Sequence, residues 1–288
     1  MEINGHTRLC GLIGNPVEHT LSPVIHNTVA EEMHDNLVYM PFHVEQGNLQ
    51  KAIAGAYSLN VLGLNVTVPY KQAVIPCLDC VEGLAEKIGA VNTLVRTENG
   101  FRGYNTDMMG LYRAMEEEGI AFEAEDMILL GAGGAARAAA FLCAEKGAKR
   151  VYLLNRSYEK AAVLAEEVNR AYERDCILPM ALSEYEKLPE EKMTAIQGTS
   201  AGLYPNTEDA VILDPAFYQH ISKAYDLIYK PEETRFMKLV KEAGGEAYCG
   251  IRMLLYQGII AYELFLDTKV PENVIRKVSA LLQEKVKG

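Results

Sequence analysis

The sequence predicts an α/β protein of two domains, the second a doubly wound parallel sheet. Three observations carry this. The chain has 288 residues, 49% of them hydrophobic, enough for two cores of ordinary size. Short apolar runs alternate with helical stretches along most of its length. One such run, Met127 to Leu130, passes straight into Gly131-Ala132-Gly133-Gly134-Ala135-Ala136, then an alanine-rich helix, then a second apolar run from Val151 to Leu154.

The net charge of −11 argues against nucleic acid or an anionic membrane as a partner. No apolar run approaches the length of a membrane span. Met1-Glu2-Ile3-Asn4-Gly5 has neither the basic region nor the apolar stretch of a signal peptide. The six cysteines are scattered, as expected of reduced thiols in a cytoplasmic protein. Cys77-Leu78-Asp79-Cys80 is a C-x-x-C, but no second Cys or His pair follows at zinc spacing, so no metal is expected.

Taken in order, Arg8 to Gly14 reads as a short strand. The loop from Asn15 to Pro23 is dense in turn formers and hydroxyls. Ser22 before Pro23 reads as the N-cap of a helix, with proline at N1, reaching about Met33. Thr20 and Ser22 can point the same way from an extended segment, which suits a carboxylate or polyhydroxy ligand; the plainer reading is that Ser22 only caps its helix. His19 and His26 have no third metal ligand nearby and read as hydrogen-bonded histidines. Leu37 to Val44 alternates as a strand and Leu49 to Leu59 is helical. Within Val61 to Lys71, Asn65 and Thr67 share one face, while Leu64, Val66 and Val68 share the other. Lys71, expected at the start of the next helix, is the acid/base candidate of this half, although most lysines are solvated surface groups. Ala85 to Ile88 is helical and ends at Gly89. Val91 to Arg96 is a strand, Asn99-Gly100 a hairpin turn, and Phe101 to Tyr104 the return strand. Asn105-Thr106-Asp107 is a second polar cluster behind a strand. A helix from Gly110 to Glu118 and a polar linker then lead to Met127, which puts the domain boundary just after Asp107.

Met127 opens the strand, glycine turn, helix and strand that bind a dinucleotide. Gly131 allows the tight turn. Gly133 has no Cβ to keep a pyrophosphate from the backbone. Gly134 adds freedom at the helix start, and Ala136 is the third small position, where helix and strand pack closely. The positive end of the helix then meets the phosphates. An ordinary glycine-rich turn has the same local sequence; the flanking strands and helix supply the context. An NAD site usually places Asp or Glu after the second strand. Here the residues are Asn155-Arg156-Ser157, with Lys160 one turn on. A guanidinium and a hydroxyl suit a 2′-phosphate, so the cofactor is read as NADP(H); otherwise Arg156 merely ends a strand at the surface. The remainder reads as a helix to about Tyr172, a strand from Met193 to Ile196, a small-residue loop from Gln197 to Pro205 and a strand from Ala224 to Tyr229. A helix from Thr234 to Ala243 and tail helices from Ile251 to Leu266 and Glu272 to Lys285 follow. Gln257 lies off the apolar stripe of the first tail helix, turned to a ligand or to solvent.

With these clusters in view, the chain resembles the shikimate dehydrogenase family from end to end. The matching motifs are Gly14-Asn15-Pro16-Val17 with His19-Thr20-Leu21-Ser22-Pro23, Leu64-Asn65-Val66-Thr67-Val68-Pro69 with Lys71, and Gly89-Ala90-Val91-Asn92-Thr93. Asn105-Thr106-Asp107, Gly131-Ala132-Gly133-Gly134-Ala135, Asn155-Arg156-Ser157, Tyr225-Asp226-Leu227-Ile228-Tyr229 with Pro231, and Gly250 with Gln257 complete the set. The resemblance implies an N-terminal α/β substrate domain (1–108 with 250–288) and a Rossmann NADP domain (109–249). It implies reduction of 3-dehydroshikimate to shikimate with NADPH, in aromatic amino acid biosynthesis on the way to chorismate, by a monomer or homodimer. It implies Lys71 and Asp107 as the acid/base pair, and Thr20, Ser22, Asn65, Thr67, Asn92, Tyr229 and Gln257 as further substrate contacts. For the cofactor it implies Gly131, Ala132, Gly133, Gly134, Ala135, Asn155, Arg156, Ser157, Lys160, Thr199 and Gly250.

Two positions depart from the family pattern. Thr20 stands where Ser is usual, and its methyl tightens the pocket or shifts preference between shikimate and quinate. Gly198 stands where Asn is frequent, which puts one cofactor contact in question. The nearby alternatives are a quinate/shikimate dehydrogenase or an aminoshikimate relative; those that use NAD tend to carry an acid after the second Rossmann strand, and this chain has none there. A non-catalytic NADP-binding regulatory protein is a third reading, against which Lys71 and Asp107 argue.

Overall fold

The computed structural model describes residues 2–287. The chain divides into two compact units, one running to Gly110 and joined by Leu254–Lys285, the other Leu111–Met253.

The first unit begins with β1 (Arg8–Gly14), α1 (Ser22–Glu32), β2 (Leu37–His43), α2 (Leu49–Ser58) and β3 (Gly63–Val66). β4 (Cys80–Val81), α3 (Gly83–Ile88), β5 (Thr93–Arg96), β6 (Phe101–Tyr104) and the start of α4 (Thr106–Glu117) complete it before the tail helices. Its six strands are ordered β2-β1-β3-β5-β6-β4. β1 pairs in parallel with β2 and β3, and β5 pairs antiparallel with β3 and β6. β1 and β3 lie inside the sheet, so β1 is buried from Cys10 on and β3 throughout, with Asn65 the one polar side chain in β3.

Three local expectations are corrected here. Ser22 does not cap α1: the cap position is Leu21, Ser22 is the first helical residue, and Pro23 follows it without losing a needed N–H. The alternating strand expected to include Thr67 and Val68 stops at Val66, ahead of Pro69, and Lys71 sits in a turn rather than at a helix start. The next helical element is only a short 3₁₀ turn, Ile75–Cys77. His26, expected to be hydrogen-bonded, is fully buried with its ring stacked on Tyr39, centroids 4.0 Å apart, and neither ring nitrogen has a hydrogen-bond partner among the described residues. Burial pushes its pKa down to about 3, which keeps it neutral.

The second unit holds β7 (Asp126–Leu130), α5 (Gly134–Glu145), β8 (Arg150–Asn155), α6 (Tyr158–Tyr172), β9 (Ile177–Ala181), β10 (Met193–Gln197) and α7 (Pro215–Tyr218). β11 (Ile221–Asp226), α8 (Arg235–Glu242) and β12 (Glu246–Tyr248) complete it. α9 (Ile251–Leu266) and α10 (Glu272–Lys287) form the tail. All its strands are parallel, in the order β12-β11-β10-β7-β8-β9. This is the doubly wound Rossmann order, with its reversal between β7 and β10. Ile128, Leu130, Leu154, Phe217, Tyr218 and Phe236 pack one face of it. β11 starts three residues earlier than its sequence suggested and ends at Asp226, because Ile221 to Asp226 is the stretch in register with β10. Among the described residues, no helix is long and apolar enough to cross a membrane.

Candidate active site

In the first unit the backbone brings the polar clusters together. The N–H of Val91 donates to the Lys71 carbonyl at 2.8 Å, which ties the lysine turn to the segment entering β5. One residue on, Asn92 Oδ1 accepts from the Thr106 N–H at 2.7 Å. Asn105 Oδ1 accepts from the Met108 N–H at 3.3 Å, as a capping side chain does at the start of α4. Asp107 follows in the first helical turn, where a negative charge is favoured. The result is a Lys71 Nζ to Asp107 Oδ2 ion pair at 2.7 Å, with side chains 25% and 13% exposed. Both side chains are thus paired and only partly open to water.

The expected substrate contacts of this unit differ in how much they have left to offer. Thr20 Oγ1 donates to Ser22 Oγ at 3.2 Å and accepts from the Ser22 N–H at 3.2 Å, so the two hydroxyls are adjacent as expected. Asn65 and Asn92 are 5% and 3% exposed and largely consumed by internal bonds. Asn65 Oδ1 accepts from the Tyr39 hydroxyl at 2.7 Å, and its Nδ2 donates to the Asn92 carbonyl and Thr93 Oγ1. Asn92 Nδ2 donates to Thr106 Oγ1 at 3.0 Å, and its Oδ1 accepts from Thr93 Oγ1 at 3.1 Å. Asn65 keeps one acceptor site and Asn92 one amide hydrogen. Thr67 and Gln257 are half-buried. Gln257 lies against Gly110, where a Cβ would come within 2.6 Å of the Gln257 nitrogen; the glycine lets α4 approach α9 one turn after Asp107. Tyr39 was not singled out by sequence, and Thr93 and Thr106 entered only as parts of motifs, each beside an expected site residue, Asn92 and Asp107.

Tyr229 and the cofactor candidates belong to the second unit. Gly131 follows β7 with φ +105, and a Cβ there would lie 2.7 Å from Thr199 Cγ2. Gly133 and Gly134 are exposed, and a Cβ on either would meet nothing within 4 Å. α5 has no side-chain cap. An open cradle beneath uncapped N–H groups fits a pyrophosphate. Ala132 is half-buried and Ala135 exposed on the same turn. At the end of β8, Asn155 Nδ2 donates to the Ser157 carbonyl at 2.8 Å, and Ser157 Oγ accepts from the Lys160 N–H at 3.4 Å, capping α6. Arg156 and Lys160 are exposed beside it. Ser157 also donates to Glu159 Oε2 at 2.8 Å, an acid on the first turn of α6 that the strand-end rule overlooks. Thr199 is half-buried and its Oγ1 accepts from the Ala201 N–H at 3.1 Å. The N–H of Gly250 donates to the Ile228 carbonyl at 2.9 Å. Burial raises the pKa of the Tyr229 phenol. The structure also accounts for Gly198: a Cβ there would stand 2.8 Å from Ala136 Cβ and 2.9 Å from Ala136 Cα, leaving no room for a side chain.

Residues 12–94 match the shikimate dehydrogenase substrate binding domain, 114–205 the shikimate/quinate 5-dehydrogenase domain and 250–278 the shikimate 5′-dehydrogenase C-terminal domain. A shikimate dehydrogenase (NADP⁺) of Desulforamulus reducens is 41% identical over 96% of both chains. The chain belongs to the shikimate dehydrogenase family. As in that family, its first unit is the N-terminal substrate-binding domain and its second the Rossmann NADP domain. The shikimate 5-dehydrogenase of Listeria monocytogenes, solved with shikimate and NAD, superposes with a TM-score of 0.88 at 30% identity, covering 96% of this chain and 98% of that one. The Thermus thermophilus enzyme, solved with NADP(H) and shikimate, gives 0.83 at 29% identity, covering 96% and 99%.

Proposed function

We propose that this shikimate dehydrogenase relative interconverts 3-dehydroshikimate and shikimate with NADPH and NADP⁺, in the cytoplasm, as a step of aromatic amino acid biosynthesis. The observation that carries the reading is the 2.7 Å Lys71–Asp107 pair, set among hydroxyls and amides in a chain that also carries a dinucleotide turn. Bound NADPH supplies the hydride from its nicotinamide. The chain's own residues do the rest. During reduction the ketone oxygen gains negative charge; Lys71 Nζ donates a proton there, and Asp107 Oδ2 aims the ammonium. In the reverse direction Lys71 takes the hydroxyl proton. Thr20 and Ser22 bind the carboxylate. Thr67, Tyr229, Gln257 and the remaining valences of Asn65 and Asn92 hold the ring hydroxyls. Arg156 and Lys160 hold the 2′-phosphate, with Asn155 and Ser157 shaping that end. Gly131 to Ala135 receive the pyrophosphate, and Thr199 and Gly250 line the nicotinamide side. The reading takes the protein as a monomer or a homodimer.

The test is a spectrophotometric assay of nicotinamide reduction, with shikimate or quinate and with NADP⁺ or NAD⁺. Reduction of NADP⁺ by shikimate that is lost in Lys71→Ala supports the reading. Equal turnover of quinate would move the assignment to the broader shikimate/quinate dehydrogenases, and no turnover in any combination would refute it.

A further inference from the structure

The end of β11 holds a buried carboxylate that the proposed chemistry does not use. Asp226 is 0% exposed. Its Oδ2 accepts from the Thr234 hydroxyl at 2.6 Å; its Oδ1 accepts from the Ile228 N–H at 2.9 Å and from Gln197 Nε2 at 3.3 Å. No cation is among these three donors. Gln197 is the last residue of β10, itself fully buried and in register with Asp226. Its Nε2 also donates to the Ala201 carbonyl at 3.3 Å, its Oε1 accepts from the Thr199 N–H, and its main-chain carbonyl accepts from the Leu227 N–H at 2.9 Å.

An amide side chain can be turned either way, and here only one way works. A carboxylate oxygen only accepts, so the Gln197 NH₂ must face Asp226. The Gln197 oxygen is then left to face Thr199. We infer that Asp226 is a positioning residue of the cofactor half-site: it fixes the Gln197 amide and, through it, the backbone of Thr199. The inference rests on the reading that NADP binds this unit. Burial raises the Asp226 pKa to about 7, yet protonation does not undo the arrangement. The Ile228 N–H and the Gln197 NH₂ cannot accept, so an added proton goes to Oδ2, toward Thr234, and Oδ1 stays an acceptor.

The sheet order gives the inference a selective test. β8 lies on one side of β7 and β10 on the other. With a pyrophosphate over the Gly131 turn, one nucleoside lies toward Arg156 and the other toward Thr199. A ligand that carries only the adenosine end therefore does not report on Thr199. Calorimetric titration with NADP⁺ and with 2′,5′-ADP, without shikimate, is made on the full chain and on Asp226→Leu, Asp226→Asn and Gln197→Leu. Asp226→Leu is expected to weaken NADP⁺ by about tenfold or more, the scale of one well-placed contact, and to leave 2′,5′-ADP within about twofold. Asp226→Asn keeps an oxygen toward Gln197 and can set its NH₂ against the Thr234 oxygen, so NADP⁺ affinity stays within about threefold of wild type. Gln197→Leu is expected to copy Asp226→Leu, and it decides the matter if Asp226→Leu does not fold. Unchanged NADP⁺ affinity in the leucine variants overturns the inference, as does parallel loss of both ligands, which marks a purely structural role. If the wild-type chain binds neither ligand, the cofactor reading falls, and this inference with it.

Discussion

Removing the ammonium of Lys71 tests the proposed chemistry most directly, and its partner makes the test quantitative. At 2.7 Å, two unit charges attract by about 6 kcal/mol in an effective dielectric of about 20. With the side chains 25% and 13% exposed, solvent screening and side-chain entropy leave a net value of about 1–3 kcal/mol. That is too small for the pair to be a major support of the fold, so Lys71→Ala is expected to stay folded. Loss of a positioned acid or base costs about 10²–10⁴ in rate, and kcat for shikimate oxidation should fall by that factor. NADP⁺ affinity should stay within about twofold, because the residues proposed to hold the cofactor lie in the other unit. Asp107→Asn keeps the shape but removes the charge that aims the ammonium, and should cost about 10–100-fold in kcat. The double variant Lys71→Ala/Asp107→Asn should be no worse than Lys71→Ala alone, since Asp107 acts through Lys71. Steady-state assays on all four proteins, with NADP⁺ titrated separately, give the cycle. Additive losses would refute the claim that the two residues act as a unit, and a kcat within threefold of wild type in Lys71→Ala would remove the lysine from the chemistry.

Arg156→Ala should weaken NADP⁺ by about 10–100-fold and leave NAD⁺ nearly unchanged, the loss of one charge-assisted phosphate contact; calorimetric titration of both cofactors checks it. Thr20→Ser keeps the hydroxyl and removes a methyl, and should raise kcat/KM for the bulkier quinate by about tenfold relative to shikimate in paired assays. Gly198→Asn should not restore a contact to the cofactor: with Ala136 Cα 2.9 Å from the new Cβ, it overpacks the βα turn and costs about 1–3 kcal/mol, read as a Tm lowered by about 2–4 °C per kcal/mol. Asp226 makes a pH-dependent prediction. Its pKa rises from 3.8 to about 7 on folding, so the stability it contributes is fully present below 3.8 and is lost as pH rises through 7. At about 1.4 kcal/mol per pKa unit the span is at most about 4 kcal/mol. Urea unfolding at pH 5 and pH 8 should therefore show Asp226→Asn gaining on wild type as pH rises, and a pH-independent difference between the two would contradict it.

What could be read from sequence, and what could not, follows from the range of the forces involved. The β7–Gly131–α5–β8 unit was readable because its determinants are local: two continuous apolar runs, and a glycine at φ +105 that other residues rarely adopt. Lys71 and Asp107 were each visible as polar residues behind strands. Their pairing depends on the antiparallel register of β3 with β5 and on the Lys71 carbonyl bond to Val91, neither of which leaves a local mark. Short edge strands were missed for a related reason. β4 and β12 have two and three residues, too few for any periodicity to show. The role of Ser22 was misassigned because Ser-Pro is a strong capping signal on its own, whereas here Thr20 supplies the hydroxyl that meets the Ser22 N–H.

Each half of the proposed site stands beside a buried polar knot, and the knots suggest how its precision is achieved. In one, Asn65, Asn92, Thr93 and Thr106 close on each other immediately before Asp107. In the other, Gln197, Asp226 and Thr234 close two residues before Thr199. Apolar residues would pack these positions at least as stably, and Asp226 in particular costs stability at neutral pH. A hydrocarbon side chain, however, sets only a volume. An amide with most of its bonds committed sets a direction, because donor and acceptor cannot exchange without leaving a buried group unpaired. Directional bonds at strand ends carry that orientation into the first turn of α4, where Asp107 sits, and into the loop that holds Thr199. Residues that look like ligand contacts in the sequence can thus serve a site by holding their neighbours, and a buried amide with few free valences is how the two roles are told apart.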